Sequence, residues 1–145
     1  MAEKRRFLFD VNVVMALTQA GHEHHSMVKE WFTVFAAEWG MCALSESGFL
    51  RLSVNPKVGN LSVEDANRLL DSLTSHPNYR YWPIQDPWYL LAPPRFGDRI
   101  FGHQQITDAY LLGLASKHNG VLVTLDKRIQ YLAGEHYSKN VLVLQ

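Results

Sequence analysis

Four acids, Asp10, Glu46, Asp108 and Asp126, stand where an apolar run ends or where a helical segment begins. Asp10 interrupts FLFDVNVVMAL at 7 to 17, so its charge sits where a buried segment stops, and it either caps the segment after it or points into a site. Asp126 closes VLVTL in the same way. Glu46 comes after MCAL, and Asp108 opens TDAYLLGLA, which places both in the first turn of helices. In an open parallel sheet ligands bind outside the carboxyl ends of the strands. If the strands ending at Asp10 and Asp126 are neighbours, all four acids meet at one edge. Singly each has a simpler role, because an acid in a first helical turn offsets the helix dipole by roughly 0.3 to 1 kcal/mol and an acid after a strand starts a turn. Together, clustered carboxylates repel one another and raise their own pKa values unless a cation is present.

An all-oxygen donor set suits Mg²⁺ or Mn²⁺, which keep several waters and bridge to a substrate phosphate. One or two such ions lower the pKa of a bound water so that it attacks phosphorus, which is phosphodiester hydrolysis without a covalent enzyme intermediate. Asn12 adds a carbonyl or orients a water. Thr107 and Thr124 are candidates for hydrogen bonds that hold the acids, and helix or turn capping explains them equally well.

The elements that must position these residues alternate along the chain. RFLF, MCAL, YRYWPI, VLVTL and NVLVLQ read as buried strands of a parallel sheet. Helical spacing of apolar residues marks 24 to 39 (Met27, Val28, Trp31, Phe32, Phe35), 62 to 74 and 107 to 119. Ser45 is the expected cap of a segment at 46 to 53, Ser62 that of 63 to 74, and Thr107 that of a run closed by Asn119 and Gly120. Residues 85 to 105 carry prolines and glycines that forbid long elements, and aromatics that argue for an ordered connection near the site or a partner surface. Strand then helix, repeated, is the α/β pattern.

At 145 residues, with 47% hydrophobic residues and zero formal net charge, the sequence predicts one folded domain over 1–145. No strongly basic field announces a nucleic-acid surface. The one cysteine, Cys42, lies in an apolar stretch and reads as a buried, reduced thiol. The start, MAEKRRFLFD, is too poor in apolar residues for a signal-peptide core, and no apolar run approaches ~18 residues. A cytoplasmic protein with no membrane contact is the expectation.

The motifs FLFDVNVVMAL, LSESGFLRL, GHQQITDAYLLGLA and VTLDKRI, in that order and spanning nearly the whole chain, resemble those of PIN-domain proteins and more narrowly of VapC-type toxin ribonucleases. The resemblance implies a three-layer α/β/α fold around a parallel sheet of about five strands ordered 3-2-1-4-5. It also implies a Mg²⁺-dependent endoribonuclease acting on RNA, a homodimer, and inhibition by a cognate antitoxin protein. By position, Asp10, Glu46, Asp108 and Asp126 become the acidic site, with Asp10 and Asp108 as the direct metal ligands.

Other residues with chemical potential have simpler readings. His22, His24 and His25 in GHEHH lack the i, i+4 spacing of a zinc helix and read as a polar helix entry. His103 lies in a turn before Thr107, where RNA or antitoxin contact competes with packing. Arg51, Arg95, Arg99, Lys127 and Arg128 are candidate phosphate contacts, Trp82 reads as core, and Trp88 as packing or base contact. Two rival functions remain at this level. One is a phosphatase with Asp10 as nucleophile, disfavoured because Asn12 holds the place of its usual second acid; the other is a non-catalytic binding module gripping a basic partner.

Overall fold

The computed structural model describes residues 5–145; Met1 to Lys4, the basic start on which the signal-peptide reading partly rests, lie outside the described residues. Strand β1 (Arg6–Phe9) lies at the centre of a parallel sheet. It pairs on one side with β2 (Glu38–Gly40) and on the other with β3 (Val121–Thr124), which in turn pairs with β4 (Val141–Val143), giving the order β2-β1-β3-β4.

Successive strand residues face opposite sides of a sheet, and the apolar residues here divide accordingly. Leu8 and its partner Leu122 join one buried cluster, while Phe7, Phe9, Val121 and Val123 join a second. The second cluster is covered by α1 (Val11–Thr18), α2 (His25–Phe35), α3 (Ala43–Val54) and α4 (Val63–Thr74). The first is covered by the short α5 (Trp88–Leu91) and α6 (Pro93–Phe96), by α7 (Ile106–Lys117) and by α8 (Arg128–Ala133). The expected α/β/α layering is therefore present. Helix α7 is buried continuously from Ala109 to Ala115, which is why its sequence is apolar all round.

Aromatic rings fill the β1–β2 side. Phe9 stacks on Trp39 with centroids 5.1 Å apart, and Trp31 meets Phe7 edge-on at 5.3 Å. Trp82 is buried, as its sequence context predicts, and Trp88 packs against the core.

The sheet has four strands where the sequence suggested five. YRYWPI runs beside β2 in the expected outer position, with Arg80 N donating to Trp39 O (2.8 Å) and Trp82 N to Met41 O (3.0 Å), yet only Trp39 and Tyr79 form a bridge. Pro83, which has no N–H, ends the run. Gly40 makes this approach possible, because a Cβ there would collide with the Arg80 carbonyl.

MCAL is not a strand. The strand ends at Gly40, and Cys42, not Ser45, is the cap of α3, its carbonyl accepting from Glu46 N at 3.0 Å. Ser45 is buried within the helix, 3.7 Å from Cys42 Sγ. The helical pattern over 24 to 39 stops at Phe35, which is exposed, because the following residues are drawn into β2. Helix α7 begins one residue before Thr107, capped by Gln105, and it ends as expected before Asn119, whose φ is 54°. Ser62 caps α4 as predicted, its hydroxyl accepting from Asp65 N at 3.0 Å.

Candidate carboxylate site

Because β1 and β3 are neighbours, their ends bring Asp10 and Asp126 to one edge. Asp10 answers both readings of its position. Its Oδ1 accepts from Val11 N (2.8 Å) at the start of α1, while Oδ2 accepts from the Thr124 hydroxyl (2.8 Å) across the strand pair. Thr124 is fully buried and its hydroxyl is saturated: it donates to Asp10 and accepts from Asn12 Nδ2 (3.3 Å) and Asp126 N (3.1 Å). Asn12 closes the arrangement by accepting from Leu125 N at 3.1 Å. One hydroxyl thus ties together residues more than a hundred positions apart in sequence.

Burial pushes the Asp10 carboxyl above its usual range, against the opposing pull of the Thr124 and Val11 hydrogen bonds. Asp108, in the first turn of α7, is raised to about 7, first by burial and then by the negative charges of Asp10 and Asp126. Asp126 moves the other way, held low by Arg128, which donates to it from its backbone N (2.9 Å), Nε (3.0 Å) and Nη2 (2.8 Å). Three acids are therefore within electrostatic reach of one another. Glu46, in the first turn of α3, accepts from the Tyr79 hydroxyl at 3.2 Å, and burial followed by this carboxylate drives the tyrosine pKa upward.

Among the described residues, no three His, Cys, Asp or Glu side chains are grouped so as to hold an ion by themselves. Thr107 is exposed and makes no side-chain hydrogen bond to the described residues. Of the candidate phosphate-binding cations, Arg95 donates to Leu90 O and Leu91 O, Arg99 donates to Leu132 O, and Arg128 is engaged by Asp126, while Arg51 and Lys127 are exposed. The histidines at 22 to 25 make local bonds, His25 Nδ1 lying 2.8 Å from Ala16 O and His24 beside Glu23. His103 lies in a single 3₁₀ turn, His103–Gln105, leading into α7.

The PIN-domain family model matches residues 7–135. The chain belongs to the PIN-domain family. Among curated relatives of this PIN domain, ribonuclease VapC38 of Mycobacterium tuberculosis is 39% identical over 129 residues, covering 87% of this chain and 89% of its own. Solved structures show the same fold at low identity. VapC20 of M. tuberculosis, described as a sarcin–ricin loop cleaving toxin, aligns with a TM-score of 0.62 at 14% identity, covering 86% of this chain and 92% of its own. A chain of a toxin–antitoxin complex from Klebsiella pneumoniae aligns at 0.63 and 13%, covering 94% and 95%.

Two features of this PIN domain's site were not legible in its sequence. Tyr79 meets Glu46 because the 79–82 segment lies beside β2, and Gln104 accepts from Arg128 Nη1 at 3.3 Å because the turn before α7 faces α8. Neither contact obeys a periodic pattern. Both come from elements distant in sequence.

Proposed function

We propose that this PIN domain is a divalent-metal-dependent endoribonuclease, the toxin of a toxin–antitoxin pair. The observation that carries the reading is the juxtaposition of Asp10, Asp108 and Asp126, three carboxylates from separate elements, with Arg128 as a compensating cation among the described residues. Asp10 and Asp108, whose proton affinity is raised by burial and then by neighbouring negative charge, are poised to exchange the proton for a cation. Their all-oxygen chemistry fits Mg²⁺ or Mn²⁺. The lack of three acids grouped on one point is compatible with ions that retain waters and take a phosphate oxygen as a further ligand.

Asp10 and Asp108 would hold the ion, with Asp126 and Glu46 completing the acidic site. When bound, the ion supplies an acidified water and offsets the charge that develops on the phosphate. The chain's own groups prepare the site. Thr124 fixes the Asp10 carboxylate and Asn12 together, burial keeps Asp10 from collapsing into bulk hydration, and Arg128 restrains Asp126. Asn12, which holds the place of the second acid that a phosphatase usually needs, is a hydrogen-bonding partner to Thr124 and Leu125, so the phosphatase alternative gains no support.

RNA as substrate is inferred from the name of VapC38, and an antitoxin partner from the Klebsiella complex. A homodimer and a cytoplasmic location belong to the same reading, and no helix among the described residues is long and apolar enough to cross a membrane. The test is incubation of purified, partner-free protein with total RNA in Mg²⁺ or Mn²⁺, against EDTA and Asp108→Asn, with new 5′ ends mapped. Discrete ends that require both metal and Asp108 are expected. Cleavage at the same bonds in EDTA overturns the metal mechanism, and intact RNA under every condition favours the binding-module alternative.

A further inference from the structure

The helix that carries Asp108 and the helix that follows Asp126 also build a cavity beside the acids. Its volume is ≈ 360 Å³, and its walls come from the segment entering α7 and from α8, with Asp108 and Arg128 on the side toward the carboxylates. Ile129 and Leu132, which are almost wholly buried, supply an apolar surface. Phe101 lines the same cavity and is 86% exposed, the most exposed large hydrophobic residue among those described. A single exposed aromatic needs no explanation by itself, but one that lines a cavity offers a face on which a planar ligand stacks. Its presentation is fixed locally: Phe101 N donates to Gln105 Oε1, and Gly102 is fully extended (φ −174°, ψ −178°), which carries the chain away from the ring.

The rim of the cavity is polar in a particular way. Gln104 accepts from Arg128 through its Oε1, and among the described residues nothing accepts from its amide nitrogen. The Arg128 guanidinium is exposed over 68% of its side chain, so it remains open to an anion while it holds Asp126. An apolar cavity with an exposed aromatic ring, an amide donor and a cation beside the candidate reaction centre together match the parts of a nucleotide: base face, base edge and phosphate.

We propose that the cavity lined by Phe101, Ile129 and Leu132 receives one unpaired nucleobase of the RNA strand, adjacent to the cleaved bond, with its phosphate directed at Arg128. This inference rests on the endoribonuclease reading and deepens it by assigning the part that selects the cut site. The base stacks on Phe101, and its edge meets Gln104. Because the base must leave any helix to enter, single-stranded loops are the favoured substrates. A peptide can reach the same amide and guanidinium through its carbonyl groups, but the cavity is lined by Asp108 of the candidate reaction centre, where the strand to be cut must lie, so the RNA strand is the better match.

The experiment has two arms. In the first, a fluorescently labelled short single-stranded RNA is titrated in EDTA, where metal-dependent cleavage is absent, with one base removed at each position in turn. Loss of one particular base weakens binding by on the order of tenfold in the native protein, is without effect in Phe101→Ala, and is again felt in Phe101→Trp. In the second arm, 5′ ends made in Mg²⁺ are mapped, and Phe101→Ala loses base preference at one position flanking the cut while keeping the native melting temperature. Binding that ignores Phe101, or an unchanged cut pattern in Phe101→Ala, overturns the base pocket, as does a Phe101→Ala defect confined to binding a protein partner. Absence of cleavage by the native protein defeats the nuclease reading instead, and the binding arm still decides the pocket.

Discussion

At the scale of single residues, the site depends on a buried hydroxyl as much as on its acids. Thr124 donates to Asp10 while accepting from Asn12 and from the Asp126 backbone, so Thr124→Val leaves buried polar groups on both strands without their partner. A loss of about 1 to 3 kcal/mol is expected in chemical denaturation, together with loss of RNA cleavage. The same network separates the acids from one another. Asp10→Asn places an amide donor against a hydroxyl that already has both acceptor positions filled, whereas Asp108→Asn removes a charge repelled by Asp10 and Asp126. Metal-free Asp108→Asn should therefore melt at or above the native temperature at pH 8, and Asp10→Asn below it, as differential scanning calorimetry can measure. The positions of Asp10, Asp108 and Asp126 were readable from strand ends and helix starts. The capping role expected of Thr107 is not present, because the helix starts two residues earlier than a capping threonine requires.

At the scale of elements, RFLF, VLVTL and NVLVLQ contain β1, β3 and β4, whereas MCAL and YRYWPI are not strands and the helices α1, α5, α6 and α8 carried no helical expectation. The α4 boundary is set by Ser62, and Ser62→Ala should cost about 1 kcal/mol of stability, measurable in urea, with fraying of the first turn visible by hydrogen exchange. The strands are three or four residues long, too short for a pattern to define their ends, so tertiary pairing decides them. MCAL resembles a strand because it is apolar. Met41 and Cys42 are buried because they pass through the core on the way into α3, whose first residues, Ala43 and Leu44, are exposed. Gly40 carries a clearer consequence: Gly40→Ala pushes the 79–82 segment off β2, so Tyr79 should lose its contact with Glu46 and the exposed edge should exchange its amide hydrogens faster.

At the scale of the whole molecule, the raised acids make stability fall as pH rises. A carboxyl whose folded pKa lies above its unfolded value of 3.8 contributes stability that is fully present below that value and lost as pH rises through the folded pKa. For Asp108 the loss runs from about pH 4 to beyond its value of about 7, and Asp10 adds to it in the same direction. Asp126 has the opposite sign, but its window lies below the ordinary carboxylate range, at more acid pH. The melting temperature of the metal-free protein should therefore decline between pH 5 and 8, partly offset by His118, whose imidazole burial holds low and which adds stability as pH rises, and the slope attributable to the acid pair should shrink in Asp108→Asn. Millimolar Mg²⁺ or Mn²⁺ should raise the melting temperature most at the alkaline end, because the ion binds the deprotonated folded state. A slope unchanged by both metal and Asp108→Asn would place its origin elsewhere.

The hydrogen bond from Thr124 to Asp10 spans 114 positions, and it forms only when β3 has paired with β1. During synthesis, the first acid leaves the ribosome long before the strand that must hold it has been translated. Parallel pairing over such a separation is slow and comes late. A nascent chain with residues 1–120 complete has no assembled site, whatever its helices have done. A protein that cuts RNA would thus remain harmless to the message encoding it until nearly its whole length had been read.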